Sequence, residues 1–159
     1  MPAPCILVAT WSNGLFSISG ETVRQELDGT VRGLAHDGRG GALAIVGGHS
    51  LRRRSDGGEW TEIATSEREL SCCVAIRDVV FVGTDDARML RVEADGTVHR
   101  LGGMPRWTDG KVDTGCIATR DAMVAVVDWS GCLYISDDDG ASWSACAERF
   151  PAPSGLQIC

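Results

Sequence analysis

The chain repeats itself, and the repeat limits what it can become. A short apolar strand, a tight turn rich in Gly, Asp, Asn or Ser, and a second strand recur four times in 159 residues. The first copy is Ile6–Ala9, a turn at Trp11-Ser12-Asn13-Gly14, then Leu15–Ile18. The second is Leu43–Val46, Gly47-Gly48-His49-Ser50, then Leu51–Arg54. The third is Val80–Gly83, Asp85-Asp86-Ala87-Arg88, then Met89–Val92. The fourth is Val124–Val127, Asp128-Trp129-Ser130-Gly131, then Cys132–Ile135.

From Leu43 to Val80 is 37 residues and from Val80 to Val124 is 44. A period near 40 built from short strands and Gly/Asp turns marks a β-propeller blade. A further strand follows each hairpin, at Thr22–Leu27, Trp60–Ala64, Thr97–Leu101 and Ser142–Ala147. Another precedes the apolar run in the last three copies, at Val31–His36, Leu70–Ile76 and Thr114–Thr119. One blade is therefore four antiparallel strands, A to D from the axis outward. Strand B is almost wholly apolar, as a strand covered on both faces must be. No helical periodicity occurs.

The expected fold is an all-β propeller of about four four-stranded blades in one domain, 1–159. The repeats run over 5–27, 31–64, 70–101 and 114–147. The first copy has no strand A. Residues 154–159, Ser-Gly-Leu-Gln-Ile-Cys, resemble Thr114–Ala118 and supply a spare one. We therefore expect this segment to complete the first blade, either within one chain or between two chains that share a ring as a homodimer; the further alternative is that the chain is a fragment of a longer propeller. Closure removes the exposed edge that invites aggregation.

Composition narrows the function. Hydrophobic residues make up 43% of the chain, enough for a packed core, and 20 glycines suit its many turns. The net charge of −7 opposes binding to nucleic acid or anionic membrane, which depends largely on Lys and Arg. No apolar run approaches the ~20 residues that span a bilayer. The first residues lack a basic region followed by an apolar stretch, so no secretory signal is expected. Seven cysteines without a Cys-x-x-Cys pair then read as free thiols in a reducing cytoplasm. Cys72 and Cys73, neighbours on one strand, should point to opposite faces.

The segment Ser136-Asp137-Asp138-Asp139-Gly140-Ala141-Ser142-Trp143 matches Ser-x-Asp-x-Gly-x-(Ser/Thr)-Trp at every defined position. It resembles the BNR/Asp-box repeat propellers, a group that includes sialidases, sortilin-type receptors and photosystem II stability/assembly factors. The opening Ile6–Thr10 with Gly14-Leu15-Phe16 is similar to the start of sialidase-like propellers of the WD40/YVTN/BNR-like type. Shortened copies stand at Arg54–Trp60 and Ala94–Thr97. The resemblance implies that Ser136, Asp138, Gly140, Ser142 and Trp143 form a structural turn between strands C and D, on the side away from the usual ligand face. An EF-hand reading of the same acidic run fails, because Ala141 and Ser142 stand where an oxygen ligand and a Gly are needed.

The resemblance alone does not bring an activity. The sialidase reading needs an arginine triad, a Tyr nucleophile and an acid/base Asp. The only Tyr is Tyr134, and nothing in the spacing of Arg24, Arg32 and Arg39 aims them at one centre. No Gly-x-Ser-x-Gly elbow or Walker loop occurs. His36, His49 and His99 are too scattered to suggest zinc, and no metal or cofactor is expected. The remaining candidate is the ligand face of B–C turns and D–A loops, with Trp11, His49, Asp85, Asp86, Arg88, Arg106, Trp107, Asp128 and Trp129. Exposed Trp beside Asp and Arg suits a protein hot spot or a stacked sugar ring. The sequence reads as a non-enzymatic binding or assembly module. The alternative is a carbohydrate-active propeller, a sialidase-like hydrolase or lectin-like sugar binder, with Asp85, Asp86 and Asp128 as its clustered carboxylates.

Overall fold

The computed structural model describes residues 5–101 and 112–159. Among these residues fifteen strands form four antiparallel sheets. Blade 1 is β1 (Ile6–Ala9), β2 (Leu15–Ser19) and β3 (Thr22–Leu27). Blade 2 is β4 (Val31–His36), β5 (Ala42–Val46), β6 (Ser50–Arg54) and β7 (Trp60–Thr65). Blade 3 is β8 (Leu70–Ile76), β9 (Val79–Thr84), β10 (Met89–Val92) and β11 (Val98–Arg100). Blade 4 is β12 (Ile117–Arg120), β13 (Met123–Val127), β14 (Cys132–Ser136) and β15 (Ser144–Arg149). The strand order in each sheet is the chain order, the meander of a propeller blade. Thr114–Cys116 is a 3-10 turn, so the inner strand of blade 4 begins later than its sequence suggests.

Register irregularities recur at equivalent places. Strands C and D slip beside Leu15, Leu51 and Cys132, and strands A and B slip after Val31 and Leu70. Bulges of this kind raise the local twist that lets short sheets stack around an axis.

The core lies between the blades rather than within one sheet. Leu15, Leu27, Val31 and Ala44 join blades 1 and 2. Leu43, Ile45, Val80 and Val82 join blades 2 and 3, with Cys73 among them. Phe81, Ile117, Val124 and Tyr134 join blades 3 and 4, with Cys72 among them. The two adjacent thiols therefore face different interfaces, as strand alternation requires. Inner strands touch in sequence, β4 with β8 and β8 with β12, and β4 also touches β1, strand B of blade 1.

Strand B shows what neighbours do. In β5 and β9 a blade covers each face and nearly every residue is buried, and β13 of blade 4 is buried to the same degree, with Leu156 of the tail among the residues packed on that core. In β1 exposure alternates: Leu7 and Ala9 pack toward blade 2, while Ile6 and Val8 are 59% and 42% exposed.

Closure within the chain is corrected by the topology. Blade 1 keeps three strands, and residues 154–159 form no strand on β1. The Leu156 N–H instead donates to the Gly115 carbonyl at 2.8 Å. Leu156 also lines a hollow with Val127, Leu133, Phe150 and Pro153 on the outward face of blade 4. The physical reason is burial. That face carries apolar residues with no fifth blade to cover them, and the tail covers part of it.

Candidate functional site

The candidate face is made by turns that close in a common way. Thr10, Thr84 and Asp128 end strand B in blades 1, 3 and 4, and each backbone N–H donates to the carbonyl four residues on, at Gly14, Arg88 and Cys132. Their side chains tie the same loops. Thr10 Oγ1 accepts from Asn13 N at 3.0 Å, Thr84 Oγ1 donates to Asp86 Oδ1 at 2.6 Å, and Asp128 Oδ1 accepts from Cys132 N at 3.0 Å. The residue following each closing residue is left free to project. These residues are Trp11, Asp85 and Trp129, and all three line one cavity. Blade 2 has Gly47 at the corresponding place and contributes Arg32 from its inner strand.

The cavity measures about 480 Å³ and draws on all four blades. Trp11 is 72% exposed and Trp129 is 53% exposed, so neither ring is spent bracing its own hairpin. The Arg32 guanidinium lies 5.4 Å from the Trp11 ring centroid, a cation–π distance. Arg32 also pairs with Glu69 from the loop that enters blade 3. That loop is stitched in place by Leu70 N to Gly48 O at 2.7 Å and Asp85 N to Glu69 O at 2.8 Å. Trp129 Nε1 donates to Asp113 Oδ2 at 3.1 Å. Ser71 Oγ and Thr114 Oγ1, also in the lining, are buried polar atoms with no hydrogen-bond partner among the described residues.

The remaining sequence candidates fall elsewhere. His49 is exposed and its Nδ1 lies 3.1 Å from the Ser66 carbonyl, outside the cavity lining. Asp86 sits against Arg88 at 3.2 Å and Arg68 at 3.8 Å. The Thr84 hydroxyl holds the Asp86 carboxyl below the usual range, and both arginines add to this. Asp128 is fully buried and belongs to its turn. Arg106 and Trp107 lie outside the described residues. Arg32, Glu69 and Asp113 were missed as lining residues. Only the approach of an inner strand and two connecting loops brings them together, and no local motif signals that.

The geometry removes the groups a glycosidase of the sialidase type would use. Tyr134 is 3% exposed in the core between blades 3 and 4, and burial pushes its hydroxyl up to about 12. Arg39 pairs with Asp78 and Arg32 with Glu69, so no arginine triad forms with Arg24. Asp85, Asp86 and Asp128 face three different surroundings rather than one substrate. Among the described residues no group of three His, Cys, Asp or Glu side chains is arranged to hold a metal.

The Ser136–Trp143 turn joins strands C and D of blade 4, at the opposite end of the sheet from the Trp rim. Gly140 N donates to Ser136 Oγ at 2.9 Å, Ser142 N to Asp138 Oδ1 at 2.8 Å, and Trp143 Nε1 to the Gly140 carbonyl at 3.0 Å. The Ser142 hydroxyl, 2.6 Å from Asp138 Oδ2, leads in drawing the Asp138 carboxyl down to about 2.

No protein-family model matches the chain, and no curated protein sequence does. Solved structures match its fold. A computationally designed protein, Ika8, superposes with a TM-score of 0.75 at 10% identity, over 100% of this chain and 51% of that one. YCF48 bound to a D1 peptide gives 0.70 at 16% identity, over 97% and 53%. The Niastella koreensis GH74 enzyme gives 0.62 at 19% identity, over 88% and 22%. The chain thus has the fold of a β-propeller. It spans about half the length of the first structures it matches.

Proposed function

We propose that this chain is a non-enzymatic binding module that holds a peptide segment of a partner protein in the cavity between Trp11 and Trp129. The observation that carries the reading is the convergence of two exposed indoles from the first and last blades on one cavity. Large aromatic side chains next to Arg are the composition of binding hot spots. Arg32–Glu69 and Asp113 supply fixed charges beside the rings, and Ser71 and Thr114 offer polar atoms that a ligand's amides can satisfy. The likeness to YCF48, solved with a peptide bound, supports a peptide over other ligands. Seven unpaired cysteines fit a reducing compartment, and we place the protein in the cytoplasm.

The carbohydrate reading rests on the same two indoles, since a sugar ring stacks on Trp as readily as a peptide side chain does. The GH74 likeness keeps it in view as a lectin-type alternative. A phage-displayed peptide library and a glycan array, probed in parallel with the purified chain, separate the two. We expect peptides to enrich, and affinity to fall at least tenfold in Trp11→Ala with Trp129→Ala and stay unchanged in Arg100→Ala. Glycan binding without peptide enrichment would replace the peptide reading, and enriched peptides indifferent to both Trp changes would remove the cavity from it.

A further inference from the structure

The two ends of the blade series are complementary. Among the described residues blade 1 has no inner strand, and its outward face is apolar. The pairings Ile6↔Ile18↔Val23 and Val8↔Phe16 place Ile6, Val8, Phe16, Ile18 and Val23 on that face. Ile6, Val8 and Val23 are 59%, 42% and 63% exposed. Blade 4 has the opposite character. Its outward face carries Ala125, Val127, Leu133 and Ile135, set by the pairings Ala125↔Ile135 and Val127↔Leu133.

The tail lies on that same face. Leu156 is beside Gly115, and Ile158 and Cys159 line a hollow with Arg120 and Met123. Residues 155–159 thus run parallel to β12, from its start to its end. Inner strands of successive blades are neighbours in this fold, β4 beside β8 and β8 beside β12. The tail therefore occupies the place of the next blade's inner strand, with no B, C and D strands beside it among the described residues.

We infer that a second copy of this chain supplies them: β1–β3 of one copy add to the tail of the other, forming a hybrid four-stranded blade at each of two identical joints. The occupant is a second copy because each end offers what the other lacks. One has three strands and an open inner edge, and the other has an inner strand laid over an apolar face on which Ala125 and Val127 are already buried and Leu133 and Ile135 are partly so. The fold match agrees in scale, since four blades here cover 51% of the Ika8 chain at a TM-score of 0.75. Two such arcs amount to one ring of that size. A head-to-tail contact that closes after two copies leaves no free edge.

The pairing of blade 4 sets the register of the joint. Blade 4 pairs Ile117 with Val126. Laying Gly155 on Gly115 and Thr10 on Asp128 sets Gln157 opposite Val8 and Cys159 opposite Ile6. The test is light scattering of the purified chain, with Ile6→Cys made in a Cys5→Ser, Cys146→Ser background for crosslinking. We expect a species of twice the 16.9 kDa chain mass. Diamide should then convert the Ile6→Cys protein to a covalent dimer on a non-reducing gel, and Cys159→Ser should abolish this. Val23→Glu, at a site already exposed in the single chain, should give a monomer with an unchanged far-ultraviolet spectrum. A monomer of 16.9 kDa at all concentrations would overturn the inference. So would an intramolecular Ile6→Cys bond to Cys159, or a dimer indifferent to Val23→Glu.

Discussion

Glu26 does more for this structure than its position on an outer strand suggests. Its side chain is 8% exposed, and it accepts from Arg54 Nε at 2.7 Å, Arg54 Nη2 at 2.8 Å and Trp60 Nε1 at 2.7 Å. The forked guanidinium is the strong form of ion pair, and here it ties blade 1 to blade 2. Arg54, ahead of Trp60, brings the Glu26 carboxyl down to about 2 from 4.5. A depressed carboxylate stabilises the fold above its unfolded value and loses that contribution as pH falls toward the folded one. The effect at neutral pH is on the order of 2–3 kcal/mol. Thermal melts of the wild type and Glu26→Gln should therefore differ by several degrees at pH 7, with the gap closing between about pH 4.5 and pH 2. The thiols make a second residue-scale case. Burial pushes Cys72 up to about 12 and Cys73 higher still, whereas Cys5, Cys146 and Cys159 are exposed. Titration with Ellman's reagent should read Cys5 and Cys146 promptly, and Cys72 and Cys73 only after denaturation.

At the scale of the element, the Ser136–Trp143 hairpin keys blade 4 into blade 3. Gly140 has φ +82° and presses on the buried Phe81, where an added Cβ would stand 2.6 Å from the ring. Gly140→Ala should cost about 2–4 kcal/mol from backbone strain and overpacking together, read as a lower urea midpoint with an unchanged slope. This hairpin was legible because its bonds are local: Ser136, Asp138 and Ser142 lie within seven residues. The strands were legible for the same reason, since alternation and turn chemistry are short-range. The cavity was only half legible. Trp11, Asp85 and Trp129 announced themselves by their place in the repeat, while Arg32, Glu69 and Asp113 reach it through contacts between blades. The tail misled for a related reason. Its likeness to Thr114–Ala118 identifies an inner strand, but which sheet it joins is a long-range matter that sequence similarity does not carry.

For the whole molecule, the arrangement of three interblade cores in series makes each blade depend on its neighbours. Interior blades are covered on both faces, blade 4 by blade 3 and the tail, and blade 1 on one face only, so in the single chain stability is lowest at blade 1. If two copies share their joints, folding and association are linked, and the melting temperature should rise with protein concentration. Differential scanning fluorimetry over a hundredfold range reads this. The Val23→Glu variant should show a lower and concentration-independent midpoint.

The turns that end strand B are closed through Thr10, Thr84 and Asp128, while the side chains next in line take no part in that closure, Trp11 meeting Arg32 and Trp129 meeting Asp113 across the cavity. Positions 11, 85 and 129 are consequently separable from the frame. Diversifying them together would retarget the protein to new ligands with little loss of stability, as substitutions at exposed sites usually allow. Three codons on an unchanged backbone make a compact starting library for engineered recognition.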